Sequence, residues 1–339
     1  MAHASPLLSS DTADATAFVS HDSGFSAVIG DAARLVRVVE TDAHEGPVYA
    51  ADEDALYFTS QPATGPDPGS PLVKVKRIAL DGERFPLEPD RVSVAREDAN
   101  VANGMSRDLG GRLVACEQGT RRRNAAITAY DPSTGQLVSL ADECRGLPLN
   151  SPNDVVVRSD GSIWFTDPSY GHLQGFRPRP ALGDHVYRLD PASGALSVVD
   201  SSFDKPNGLA FSPDETVLYV GDSGANHEPG SFDPARPHHI KAFDVVDGGR
   251  LRSERLFSVT NPGFPDGIKV DADGRVYASS FSGVQVFEPA GALIGEIALP
   301  GAVNFTFGGP EGNVLFITTD DAVWAAVLNV TAPSRAKGV

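Results

Sequence analysis

The stretch PNGLAFSPDETVLYVGD, residues 206–222, contains the pattern that decides the fold. It opens with an asparagine between proline and glycine, continues as a short apolar segment, and turns at Pro-Asp-Glu before a second apolar segment. Two short apolar strands joined by a turn rich in proline, aspartate or glycine are typical of a β-hairpin. The stretch therefore predicts a hairpin whose first strand opens with Asn207.

The same pattern recurs in five other segments: EGPVYAADEDALYFTS (45–60), NGMSRDLGGRLVACE (103–117), PNDVVVRSDGSIWFTD (152–167), PDGIKVDADGRVYASS (265–280) and NFTFGGPEGNVLFITT (304–319). Self-similarity at a period of about 40 to 50 residues indicates a β-propeller. Further strand candidates lie between these hairpins, for example AAITAYDPSTGQLVSL (125–140), so each repeat contains two hairpins. Two hairpins form one four-stranded blade. The sequence therefore predicts an all-β, six-bladed β-propeller.

The extent of the repeats sets the predicted domain boundaries. Residues 31–339 are expected to form a single propeller domain, and residues 1–30 a disordered N-terminal lead. The segment ARLVRVVE (33–40) has strand composition but no hairpin partner nearby. We expect it to complete the last blade, because closing the ring removes exposed strand edges.

Composition excludes several classes of partner. The formal net charge is −17, whereas phosphate binding requires a cationic field, so we expect neither a nucleic-acid nor a membrane partner. Cys116 and Cys144 are too few for a disulfide framework and lack zinc-site spacing, so two free thiols are predicted. Without a signal-peptide pattern or an apolar run long enough to span a bilayer, the chain is expected to be cytoplasmic, as a monomer or weak homo-oligomer.

The residues that open the inner strands carry the candidate chemistry. In a propeller the equivalent position of every repeat faces the central axis, so these side chains should converge. They are Glu45, Asn103, Asn153, Asn207, Asp266 and Asn304. Each one alone is more often a turn former. Together, two carboxylates and four amides without His or Cys favour one divalent hard cation, for which Ca²⁺ is the first choice and Mg²⁺, Mn²⁺ or Zn²⁺ are alternatives.

The motifs also resemble a known family, the SMP-30/gluconolactonase or regucalcin-like propellers. The resemblance covers nearly the whole chain, through HEGPVYA, NGMSRD, CEQGTRR, SPNDVVV, WFTDPSYG, PNGLAFSPDE, FPDGIKVDADGRVY and NFTFGGPEGNVLFIT. It implies a metal bound by Glu45 in HEGP, Asn153 in SPND, Asn207 in KPNG and Asp266 in FPDG. It also implies that Asp266 acts as general base or nucleophile, and that Asn103 and Glu117 contact the substrate.

Three further substrate contacts are predicted with alternatives left open. Arg121, in the basic run 121–123, is either a substrate clamp or part of a solvated loop. His172 follows the third inner hairpin and could line the channel mouth. Asn304 opens the sixth inner strand and is assigned to the substrate as well as to the converging set. His44, beside Glu45, could orient a ligand or could simply be packed.

These observations predict a metal-dependent lactonase that opens a small, sugar-type lactone. In this hypothesis the metal polarises the lactone carbonyl and Asp266 activates water or attacks directly. Two alternatives remain open at this point. One is a phosphotriesterase or fluorophosphatase on the same metal site, and the other is a non-hydrolytic propeller, either strictosidine-synthase-like or a binding scaffold.

Overall fold

A computed structural model describes residues 17–65, 69–82, 84–228 and 230–333. Within these ranges the chain is almost entirely β-structure, with two short helices, α1 (Phe25–Ile29) and α2 (Tyr170–Leu173), and one 3₁₀ turn (Pro89–Arg91). Neither helix approaches the length or apolar character that crossing a membrane requires, and no other helix of the described residues does so.

Two strands precede the first blade: β1 (Phe18–Ser20) and β2 (Arg34–Glu40). The first three blades follow, each written from its innermost strand outward. Blade 1 contains β3 (Glu45–Ala50), β4 (Ala55–Thr59), β7 (Val75–Ala79) and β8 (Val92–Arg96). Blade 2 contains β9 (Ala102–Arg107), β10 (Leu113–Glu117), β11 (Ala126–Tyr130) and β12 (Leu137–Ala141). Blade 3 contains β15 (Val155–Val157), β16 (Ile163–Asp167), β17 (His185–Asp190) and β18 (Ala195–Asp200).

The other three blades repeat this arrangement. Blade 4 contains β19 (Pro206–Phe211), β20 (Val217–Asp222), β21 (His239–Val246) and β22 (Arg250–Val259). Blade 5 contains β23 (Ile268–Val270), β24 (Val276–Ser280), β25 (Gly283–Phe287) and β26 (Leu293–Ala298). Blade 6 contains β27 (Asn304–Gly308), β28 (Val314–Thr318), β29 (Ala322–Val327) and, outermost, β2. Two small hairpins decorate the loops: β5 (Ala63–Thr64) with β6 (Pro71–Leu72), and β13 (Glu143–Cys144) with β14 (Leu147–Pro148).

The predicted six-bladed propeller and its closure are confirmed. Strand β2 pairs antiparallel with β29, from Arg34 opposite Val327 to Glu40 opposite Ala322. The ring is therefore closed by joining a strand from the beginning of the chain to strands near its end. The pairing covers the edge of β29 with a strand from the other end of the chain.

The prediction of a disordered lead over residues 1–30 is wrong for residues 17–30. Strand β1 pairs with β26 as a fifth strand of blade 5, and α1 buries Phe25 and Val28 completely. Both side chains join the apolar cluster between blades 5 and 6. Burying an aromatic ring and a branched side chain stabilises this segment by a few kcal/mol, roughly 1.5–3 for each side chain. Residues 1–16 lie outside the described residues.

The hydrophobic core is divided among the interfaces between blades. Six apolar clusters of the described residues each lie between two neighbouring sheets. The second strand of a blade is buried along its whole length, as in β4, β10 and β16, because sheets cover both of its faces. Cys116 and Cys144 are buried and unpaired in the cluster between blades 2 and 3, which confirms the predicted free thiols.

Candidate metal and active site

The six residues expected to converge lie at the same end of the inner strands. Glu45 and Asn304 are the first residues of β3 and β27, and Asn103 and Asn207 are the second residues of β9 and β19. Asn153 and Asp266 each lie two residues before β15 and β23. Neighbouring inner strands touch at this end, so the six backbones surround the central axis.

Glycines allow this close approach. A Cβ on Gly208 would lie 2.0 Å from the carbonyl oxygen of Asp266, and one on Gly104 would lie 2.6 Å from that of Asn153. The glycine amides use the space to hydrogen bond across the interface: Gly208 N donates to Asp266 O at 3.0 Å, and Gly104 N to Asn153 O at 2.7 Å. Only a residue without a side chain permits a backbone contact this short. A glycine follows four of the six site residues, and in these pairs of blades it allows the next site residue to approach closely.

Hydroxyl groups at the ends of the second strands fasten the same ring. Thr166 Oγ1, at the end of β16, donates to the carbonyl oxygen of Asn207 in blade 4 at 2.8 Å. Thr318 Oγ1, at the end of β28, donates to the carbonyl oxygen of His44 beside blade 1 at 2.7 Å. These bonds satisfy buried carbonyls that face a neighbouring blade rather than a partner in their own sheet. They explain the threonines at these two positions, near the ends of β16 and β28.

The negative charge of Asp266 destabilises the ionised form of Glu45, its neighbour in the ring. Burial, together with the negative charges of Asp266 and Asp154, raises the pKa of Glu45 to about 8. Burial also raises the pKa of Asp266, to about 6, although His44 and a hydrogen bond from Asn207 oppose the shift. Glu45 Oε2 accepts hydrogen bonds from Gly46 N at 3.0 Å and Asn304 Nδ2 at 2.8 Å. A bound cation would relieve this repulsion.

Amide oxygens of the ring complete a donor set suited to a hard cation. Asn103 Oδ1 and Asn153 Oδ1 are buried and have no hydrogen-bond partner, which is rare for buried polar atoms. The described residues contain no group of three or more His, Cys, Asp or Glu side chains placed to hold a metal. The candidate set instead combines two carboxylates with amide oxygens, the ligands that calcium accepts in irregular geometry. The residues therefore fit a calcium-like ion.

The remaining predicted substrate contacts have structural partners. Glu117 is buried at the end of β10, where Oε1 lies 2.9 Å from Arg96 Nη1 and accepts a hydrogen bond from Thr128. Arg121 donates two hydrogen bonds to the carbonyl oxygen of Gly175, which ties its loop to the segment after α2. The hydrogen bonds of Arg121 favour its assignment to a loop rather than to a substrate clamp. The contacts of Glu117 occupy one of its two carboxylate oxygens.

The loop that contains His172 contributes a different residue to the site. His172 is exposed on α2, whereas Tyr170 of the same helix is buried and hydrogen bonds to the side chain of Asn207. At the rim, His44 Nδ1 lies 2.8 Å from Asp320 Oδ1, so the ring orientation of His44 is fixed beside Glu45. Sequence reasoning missed Asp320 as a neighbour of the site, because Asp320 is far from Glu45 along the chain and carries no local signal.

Asp154 is the other residue that the sequence analysis missed. It occupies the position after Asn153, where the inner strands of blades 1, 2, 4 and 5 have glycine, and it is 2% exposed. Its negative charge contributes to the raised pKa values of both Glu45 and Asp266. Among the described residues, the channel site therefore combines the buried carboxylates of Glu45 and Asp154 with that of Asp266, which is partly buried.

Comparison with known proteins gives a consistent assignment. The family described as SMP-30/Gluconolactonase/LRE-like region matches residues 43–321. A gluconolactonase of Zymomonas mobilis is 32% identical over 313 residues, covering 86% of this chain and 81% of the relative. Pentonolactonase XacC of Haloferax volcanii is 26% identical and covers 84% of each chain. A solved gluconolactonase from Xanthomonas campestris has a TM-score of 0.76 and 35% identity, covering 97% of this chain and 99% of the other.

Proposed function

Because the chain belongs to the SMP-30/gluconolactonase/LRE-like family, we propose that it is a lactonase that opens a small sugar-type lactone at a divalent metal site. The observation that carries the proposal is the ring of oxygen ligands at one end of the channel, with buried amide oxygens that lack hydrogen-bond partners. Relatives named gluconolactonase and pentonolactonase support a sugar lactone as the substrate.

Four side chains would hold the ion: Glu45, Asn153, Asn207 and Asp266. Two carboxylates among the ligands match one divalent charge, and amide ligands favour Ca²⁺ over ions that prefer nitrogen or sulfur. When bound, the ion supplies Lewis-acid polarisation of the lactone carbonyl. Asn103 and Asn304 lie on the same ring and remain candidates for orienting the substrate's hydroxyl groups.

Asp266 is the group that would manage the proton. Burial raises its pKa to about 6, which still leaves Asp266 mostly ionised at neutral pH, and the charge of a bound ion would favour the ionised form further. The carboxylate can then accept a proton from water. In hydrolysis a water oxygen attacks the carbonyl carbon, the ring C–O bond breaks, and one proton passes from the water to the released alkoxide oxygen. Asp266 can take up that proton and return it. The hydrogen bond from Asn207 fixes the carboxylate for this role. In the alternative version of this proposal, Asp266 attacks the carbonyl carbon of the lactone directly.

The test is hydrolysis of gluconolactone followed by pH-stat titration, before and after treatment with a chelator. We expect activity to fall to background when elemental analysis finds no bound metal, and Ca²⁺ to restore it. Full activity in the metal-free protein would contradict the metal site. Hydrolysis of phosphotriesters but of no lactone would contradict the proposed substrate class.

A further inference from the structure

A buried carboxylate lies directly beneath the proposed metal ligands. Asp154 Oδ1 accepts a hydrogen bond from Val155 N at 2.8 Å, but Oδ2 is buried without a hydrogen-bond partner. A Cβ added to Gly104 would lie 2.4 Å from Asp154 Oδ1, which shows how closely this carboxylate packs against blade 2. Asp154 is 2% exposed.

The cation nearest to Asp154 Oδ2 belongs to blade 5. Lys269 follows Asp266 by three residues, and its Nζ lies 4.0 Å from Asp154 Oδ2. Lys269 Nζ also donates to the carbonyl oxygen of Ile268 at 3.0 Å and to Asn304 Oδ1 at 3.3 Å. On its other side Lys269 lines a cavity of about 530 Å³ at the far end of the channel. The ammonium thus separates the site from that cavity.

Asn304 connects this pair to the ligand ring. Its Oδ1 accepts hydrogen bonds from Lys269 Nζ and from Phe305 N, so its amide NH₂ must face the opposite way. There Nδ2 donates to Glu45 Oε2 at 2.8 Å. Lys269, which faces Asp154 Oδ2, therefore helps to orient the amide that positions Glu45.

We propose that Asp154 and Lys269 form a fixed charge layer that sets the charge preference of the metal site. This inference rests on the proposed metal. In the described part of the chain, the carboxylates of Glu45, Asp154 and Asp266 lie with the ammonium of Lys269 around this site, and their sum of two negative charges matches a divalent ion. At the rim, His44 and Asp320 add no net charge when His44 is protonated. Asp154 and Lys269 act through the ligands and are positioning residues.

The layer has a signature that a packing defect would not reproduce. Removing the charge of Asp154 should weaken Ca²⁺ binding by about tenfold or more, the usual scale for residues behind a metal ligand. Because the energy of a fixed charge with an ion is proportional to the ion's charge, a tenfold loss for Ca²⁺ implies about a thirtyfold loss for Tb³⁺. Removing the charge of Lys269 should shift the ratio of the two affinities in the opposite direction.

The experiment is calorimetric titration of metal-free protein with CaCl₂ and, separately, with TbCl₃. The variants are Asp154→Asn, Lys269→Met and the double variant, which restores the net charge. Matched controls are Asp244→Asn and Arg255→Met, an exposed ion pair with 2.7 Å between Nη1 and Oδ1 on the outer strands of blade 4. Circular dichroism and thermal unfolding establish that each variant is folded. A Glu45→Gln variant identifies the binding signal that belongs to the channel.

Support requires the preference for Tb³⁺ over Ca²⁺ to fall in Asp154→Asn, rise in Lys269→Met, and return close to the wild-type value in the double variant. The controls should leave that preference unchanged. Equal changes for both ions, or no change, would overturn the charge layer while leaving the metal site intact. If wild-type protein bound neither ion, the proposed metal site itself would fail, and the charge layer with it.

Discussion

Replacing Gly208 with alanine tests how the ring of site residues is assembled. In the structure an added Cβ would lie 2.0 Å from the carbonyl oxygen of Asp266 and 2.9 Å from the amide nitrogen of Ile268. A carbon and an oxygen in contact are normally separated by at least about 3.3 Å. The two backbones must therefore move apart by more than about 1 Å, and the hydrogen bond from Gly208 N to Asp266 O is lost or stretched.

The magnitude follows from these two changes. Overpacking of a closely packed site costs about 1–3 kcal/mol, and a lost backbone hydrogen bond adds about 1 kcal/mol. We therefore expect the free energy of unfolding to fall by about 2–4 kcal/mol. The displaced residue is the proposed catalytic carboxylate, and a misplacement of about 1 Å lowers turnover by about 100-fold. Added Ca²⁺ should not restore this loss, because the geometry of Asp266 has changed rather than its charge.

Gly110→Ala is the matched control. Gly110 lies in the turn between β9 and β10, and the nearest atom to an added Cβ is Asp108 Oδ1 at 3.4 Å. Its φ is not positive, so alanine fits and should change stability by about 1 kcal/mol or less. The measurements are urea unfolding and kcat for gluconolactone at saturating Ca²⁺. If Gly208→Ala matched Gly110→Ala in both, the close contact between blades 4 and 5 would not position the site.

Three other predictions concern separate parts of the molecule. Asp266→Asn, saturated with metal, should stay folded and lose at least about 100-fold in turnover. Glu45→Gln should recover much of its activity in excess Ca²⁺. If both variants recovered equally, Asp266 would be only a metal ligand. Lys205→Met should lower the free energy of unfolding by about 3–5 kcal/mol in a denaturation experiment, because Asp184 and Asp204 lose the buried ammonium that pairs with both. A loss below about 1 kcal/mol would contradict this prediction. Cys116 and Cys144 should react with a thiol reagent only after denaturation, giving two thiols without reductant, and a titration that finds none would contradict it.

The inner hairpins could be predicted from sequence because their signals are local. Each repeat carries a polar opening residue, a tight turn and two apolar strands within 15 to 17 residues. The closing strand β2 was predictable as well, since it is seven residues of strand composition without a local partner. Strand β1 was not predictable. It has only three residues, two of them exposed, and it pairs with residues 295–297 at the other end of the chain.

The site was only partly predictable for the same reason. Repeat register shows which residues open the inner strands, so the convergence of Glu45 with Asp266 follows from the pattern. Register does not show where a side chain from a loop points. His172 and Tyr170 occur in one short helix, yet burial brings Tyr170 to Asn207 and leaves His172 exposed. Packing between loops decides which of the two side chains is buried, and the sequence pattern of a single repeat does not reveal that packing.

Asp154 shows how one position can carry two different kinds of information. In four blades the residue after the opening residue is glycine. The close approach of neighbouring backbones accounts for these glycines. Blade 3 has Asp154 at that position, which the pattern alone presents as an interruption of the repeat. The structure places its carboxylate 4.0 Å from an ammonium two blades away. A charged residue in place of glycine at a converging position is therefore worth testing, because its side chain can interact with residues of blades that are distant along the chain.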